Sequence, residues 1–138
     1  MGMKEKAVAY FAEGKYNCCQ AVVCAYCEEY GVDDRSVFKL AESFGGGMGG
    51  MKDTCGAVSG MFMAIGLHNS AGDKTDPRAT KAATYEAVCE MAKAFEERNG
   101  SLYCRDLKAV VDGRQVVSCK RCVETGAEIL AEYIEKQQ

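Results

Sequence analysis

Histidine is almost missing from these 138 residues: His68 is the single one. One histidine, far from any cysteine-centred motif, is poor material for a nucleophile and its base, which argues against a hydrolase. At the end of an apolar run it reads as a polar surface residue. Two C-x-x-C pairs occur, Cys24/Cys27 and Cys119/Cys122. Neither is followed by histidine, which removes covalent c-type haem attachment. A basic excess is missing too. Seventeen Lys and Arg against twenty Asp and Glu leave a net charge of -3, so nucleic acid is not an expected partner. No long hydrophobic run is present either. The longest, Cys55 to Leu67, is too short to cross a bilayer and is broken by Gly56, Gly60 and Gly66, so no membrane insertion is expected. The opening MGMKEKAVAYFAEG has no apolar signal core, and the expected location is the cytoplasm. Linkers, repeats and low-complexity segments are also lacking, and residues 1–138 read as one domain.

What is present is helix after helix. Hydrophobic residues make up 48% of the chain, enough to bury a core without disulfide staples. The first helix is expected over Met3 to Ala12, ending at Gly14. The second follows Asn17 as N-cap and stops at Gly31 in the C′ position. A third starts near Asp34 with Val37, Leu40, Ala41 and Phe44 on one face, and a fourth runs from Thr54 to about His68. The fifth is predicted to be capped by Asp76 with Pro77 at its first position, its apolar stripe formed by Tyr85, Cys89 and Ala92, and its end at Gly100. Ser101 caps a short sixth, and Ser118 caps a last one facing the core with Ile129, Leu130, Tyr133 and Ile134. Asp112-Gly113 inside AVVDGRQVV signals one small hairpin. The expected fold is all-α, a compact single-domain bundle of six to seven helices with a glycine-rich loop and at most one short hairpin.

Nine cysteines remain to be explained. In a reducing compartment structural disulfides are unexpected, so metal, cluster or reactive-thiol roles gain weight. Four of the nine fall at predicted helix starts: Cys18 after Asn17, Cys55 after Thr54, Cys119 after Ser118, and Cys104 three residues beyond Ser101. A helix N-terminus offers unsatisfied N–H donors and partial positive charge, which lowers a thiol pKa and favours the thiolate that binds metal or attacks disulfides. Cys24, Cys27 and Cys89 read as core residues, because two lie in an apolar helical run and the third on an apolar stripe. A zinc pair is expected on a tight turn, which weakens Cys24/Cys27 inside a helix. Cys19 and Cys122 stand beside candidate ligands as bystanders or spare thiols.

The glycine-rich stretch FGGGMGGMKDTCGAVSG, Phe44 to Gly60, matches GxGxxG at Gly45, Gly47 and Gly50, but a helix precedes it where a dinucleotide fold needs a strand. Met51 stands before Lys52 and breaks the P-loop pattern. Two readings remain: an anion-binding nest of backbone N–H groups leading into Cys55, or a plain connection that lets helices pack closely. The nest would make Gly46, Gly47, Gly49, Gly50 and Gly56 cofactor-binding residues.

YNCCQAV at Tyr16–Val22, FGGGMGG followed by CGAVSG at Cys55–Gly60, SLYCRDL at Ser101–Leu107 and CKRCVETGAEIL at Cys119–Leu130 together resemble the redox-active C-GCAxxG-C-C family, over roughly Lys4 to Ile134. The resemblance also extends to the iron–sulfur part of split-Soret-type cytochromes, whose haem-attachment motifs this chain lacks. It implies that the signature cysteines are Cys18, Cys55, Cys104 and Cys119, the four already selected by their helix starts. Family members commonly carry a further cysteine where this chain has Ala109, whereas Cys19, Cys24, Cys27 and Cys122 are extras. The first expectation is an iron–sulfur cluster, [2Fe–2S] in type, on those four cysteines, passing electrons to a redox partner protein or small carrier. The alternatives are a metal-free thiol–disulfide protein and a binding module with structural zinc. Cys55 and Cys119 are the candidate catalytic thiols, and a homodimer is compatible with glycine-rich surfaces.

Overall fold

A computed structural model describes residues 2–137. Seven helices occupy them: α1 Met3–Ala12, α2 Cys18–Cys24, α3 Asp34–Glu42, α4 Gly56–Asn69, α5 Lys81–Asn99, α6 Cys104–Leu107 and α7 Cys119–Lys136. Two-residue strands β1 (Val110–Val111) and β2 (Arg114–Gln115) form one antiparallel hairpin around Asp112 and Gly113, both at positive φ as a type I′ turn demands.

Local chemistry sets most boundaries. Asn17 and Gln20 form a reciprocal capping box at the start of α2, each side chain accepting the other's backbone N–H at 2.9 Å. Beyond Cys24 the chain tightens into i→i−3 turns. It stops at Gly31, where Val32 N–H reaches Cys27 O and Gly31 N–H reaches Glu28 O in a Schellman arrangement. Asp33 caps α3 and Ser118 caps α7, each accepting an amide three residues on at 3.1 Å.

Three expectations shift. Helix α5 begins at Lys81 rather than Pro77, because Asp73 accepts the Thr75 amide and the following residues wind through i→i−3 turns at Asp76 and Ala79. Its buried face is Ala87, Met91 and Phe95, so Tyr85 and Cys89 are exposed. The bulk of Met91 and Phe95 outweighs the smaller stripe and turns the helix by part of a turn. Leu40 lies outside the core as well, 68% exposed beside the shallow groove formed with Val23, Val37, Phe44, Met63 and Leu67.

Helix α4 is the axis of the core, with Ala57, Val58, Met61, Ala64 and Ile65 buried. Glycines bring its neighbours close. A Cβ at Gly60 would lie 2.7 Å from Cys19 O on α2, and one at Gly126 of α7 would lie 3.1 Å from Ala57 O. Helix α7 closes the bundle with Val123, Ala127, Leu130 and Ile134 turned inward. No helix among the described residues is long and apolar enough to cross a membrane.

Candidate redox site

Four chain segments deliver five thiols to one place. Cys18 opens α2 and Cys119 opens α7, each directly after its capping residue as the sequence predicts. Cys122 follows one turn later on α7. Thr54 is held in an antiparallel bridge with Tyr103, so Cys55 itself becomes the N-cap of α4. Ser101 accepts the Tyr103 amide and donates to the Asp106 carboxylate, and α6 starts at Cys104 rather than after Ser101. Backbone bonds lock these last two segments together: Cys55 N–H to Leu102 O at 2.8 Å, Cys104 N–H to Asp53 O at 2.6 Å, and Arg105 N–H to Lys52 O at 3.1 Å.

The glycine-rich loop is a scaffold for that junction. Gly46 to Gly50 all have positive φ, a left-handed turn that glycine permits and other residues resist. A Cβ at Gly47 would stand 2.6 Å from Cys104 Cβ and 2.8 Å from Asp53 N, so only glycine lets the loop lie against the cysteine. Gly56 likewise packs on Cys18 Cβ and the Cys19 amide. Gly46, Gly49 and Gly50 have no cysteine within 4 Å of their Cβ positions. The amides of residues 48–53, those of Gly49 and Gly50 among them, donate to carbonyls of the same loop, from Phe44 to Met48, so these N–H groups are not free to receive an anion.

Charge divides the thiols. Cys18 is paired with Cys119 and Cys55 with Cys122, each member shifting its partner's ionisation. Lys108 lies between the pairs, its Nζ donating to Cys122 Sγ at 3.1 Å and to Val117 O at 3.1 Å. The hydrogen bond from Cys18, then the Lys108 ammonium, holds Cys119 down at about 6. That from Cys55, with the same ammonium, holds Cys122 at about 7. The donors move the other way: Cys18 and Cys55 are raised well above the usual thiol range by their partners and by burial, and burial also raises Cys104. Within each pair the thiol on α7 is therefore the more acidic member. The expectation that helix starts would lower all four signature thiols is corrected: burial and pairing outweigh the helix field at three of them.

Cys122 is the residue that sequence reasoning set aside and the fold brings in. The signal was available, since i and i+3 positions share one helix face and Cys119 was already a candidate. Lys108 carried no motif. Cys19 is buried against Met63 Sδ at 3.8 Å, outside the cluster, and His68 shares a 2.8 Å hydrogen bond with Tyr30 Oη instead of standing free at the surface.

Neither the curated proteins nor the solved structures contain a match to this chain. A family model does match, over residues 16–133, under the description "Putative redox-active protein (C_GCAxxG_C_C)". That span takes in all five clustered cysteines, Lys108 and the glycine-rich loop, and the chain belongs to this C-GCAxxG-C-C family.

Proposed function

We propose that the protein is an electron carrier in which two thiol pairs, Cys18 with Cys119 and Cys55 with Cys122, hold a two-iron, two-sulfide cluster beside Cys104. The observation that supports this is the pairing itself, because a cluster of that type takes two thiolates on each iron. Bound there, it would supply one-electron transfer. The chain's own residues do the rest. Lys108 donates to a ligand sulfur and offsets negative charge, α4 and α7 present amides toward Cys55 and Cys119, and the buried walls exclude water. Compared with the quartet read from the motifs, Cys122 joins and Cys104 becomes the neighbour. The partner is a redox protein or small electron carrier reaching the half-buried edge at Cys18 and Cys119. Zinc suits this cluster less well. Four thiolates around zinc sit within about 3.8 Å of one another, whereas among the described residues no three of these sulfurs lie mutually within 4.8 Å.

A second reading is favoured by Cys119 alone, a half-buried thiolate next to a thiol. Its sulfur would attack a partner's disulfide and release one partner thiolate, which takes the proton of Cys18. Cys18 sulfur would then displace the second, leaving a Cys18–Cys119 disulfide and a reduced partner. Anaerobic purification decides between the two. Iron and acid-labile sulfide near two each per chain, with visible absorption lost in Cys55→Ser and Cys122→Ser, is the expected result. Colourless protein after reconstitution, with a reversible loss of two thiols mapped to Cys18 and Cys119 by mass spectrometry, overturns the cluster in favour of exchange.

A further inference from the structure

Away from the redox cluster, the far end of α2 brings a second set of donors together. The sulfurs of Cys24 and Cys27 and a carboxylate oxygen of Asp34 all lie within 4.8 Å of one another. The helical run that argued against this C-x-x-C pair in the sequence does not persist through it. Cys24 is the last residue of α2, and Tyr26 N–H to Val23 O and Cys27 N–H to Cys24 O form the i→i−3 turn that follows. The pair thus spans a tightened turn at the end of α2, not the interior of a regular helix. Asp34 arrives from the first position of α3, with Asp33 occupied as the helix cap by Ser36. Among the described residues the Asp34 carboxylate makes no hydrogen bond or ion pair, and the nearby Lys6 ammonium is engaged by Glu28 at 3.1 Å. The two sulfurs are buried, at 1% and 2% residue exposure, while Asp34 is open to solvent.

We propose that Cys24, Cys27 and Asp34 form a zinc site, separate from the redox cluster, with water as the fourth ligand. Two soft sulfurs and one carboxylate suit a borderline divalent ion in a tetrahedral shell, and they do not suit calcium or magnesium, which take oxygen alone. Zinc binds thiolates, so its binding releases the thiol protons. Occupied, the site ties the end of α2 to the start of α3. The same α2 presents Cys18 at its other end, so the ion braces a helix that the redox cluster depends on.

One equivalent of zinc added anaerobically to the reduced, purified protein tests this, read by X-ray absorption at the zinc edge and by thermal unfolding. The expected shell is two sulfurs and two oxygens, with a rise in Tm. Cys24→Ala/Cys27→Ala should abolish both. Asp34→Asn, an exposed change that leaves the fold intact, should weaken binding about tenfold or more, and Cys89→Ser should do nothing. A four-sulfur shell overturns the proposal, as does an absence of bound zinc or an affinity that Asp34→Asn leaves unchanged. The iron and sulfide content is measured separately, so failure here and failure of the cluster reading are distinguishable.

Discussion

Lys108 reinforces the charge that thiol pairing places on Cys119 and Cys122. Its ammonium bonds Cys122, faces Cys119, and is held in place by the Val117 carbonyl. In the metal-free reduced protein, Lys108→Met should raise the apparent pKa values of Cys119 and Cys122 by about one to three units. Alkylation of both would slow at pH 7, measured by mass spectrometry across a pH series, while Lys108→Arg keeps much of the effect. The pairs also set how stability depends on pH. Between about 6 to 7 and the ordinary thiol value near 8.5, Cys119 and Cys122 lose protons in the fold that they keep in the unfolded chain, so metal-free stability should rise with pH. Above that value the unfolded thiols lose their protons. Cys18, Cys55, Cys19 and Cys24 keep theirs in the fold, so stability should fall again. Urea midpoints under reducing, chelating conditions should therefore peak at mildly alkaline pH.

At the scale of elements, the redox site depends on how closely α2 approaches α4. Gly60 sets that approach, because any side chain there meets Cys19 O at 2.7 Å. Gly60→Ala should destabilise the protein by about 1 to 3 kcal/mol and shift Cys18 away from its partner. Gly66 lies on the same helix with no neighbour within 4 Å. Gly66→Ala should therefore stabilise by about 0.5 to 1 kcal/mol through helix propensity alone. Denaturant unfolding of the two variants side by side checks the contrast. The elements themselves were largely readable: the Asn17 capping box, the Gly31 stop, the Asp112-Gly113 hairpin and the Ser118 cap are local chemistry, complete within a few residues. Readings failed where a distant contact took over a local group. Thr54 could not cap α4 once it paired with Tyr103, and Tyr85 and Cys89 could not be buried once Met91 and Phe95 claimed the core.

For the molecule as a whole, the site is a product of folding. Its thiols come from α2, α4, α6 and α7 and meet only when those elements pack. A cluster that bridges them binds the folded chain alone, so its loss should appear as loss of stability. Removing iron with a strong chelator under reducing conditions should lower Tm, and anaerobic reconstitution should restore it. The same treatment of Cys55→Ser should change Tm little. A wild-type Tm indifferent to iron would count against a bridging cluster.

The amino-acid sequence alone determined the helical class, most caps and stops, the family, and the capped helix starts on which Cys18 and Cys119 stand. Each of these rests on groups a few residues apart or on a motif carried in the chain. The tertiary structure decided the partners. It set Cys18 against Cys119 and Cys55 against Cys122, admitted Lys108, turned Cys89 outward, and brought Asp34 to Cys24 and Cys27. Thiol ionisation depends on burial and on charges a few ångströms away in space, and those neighbours come from segments far apart in the chain.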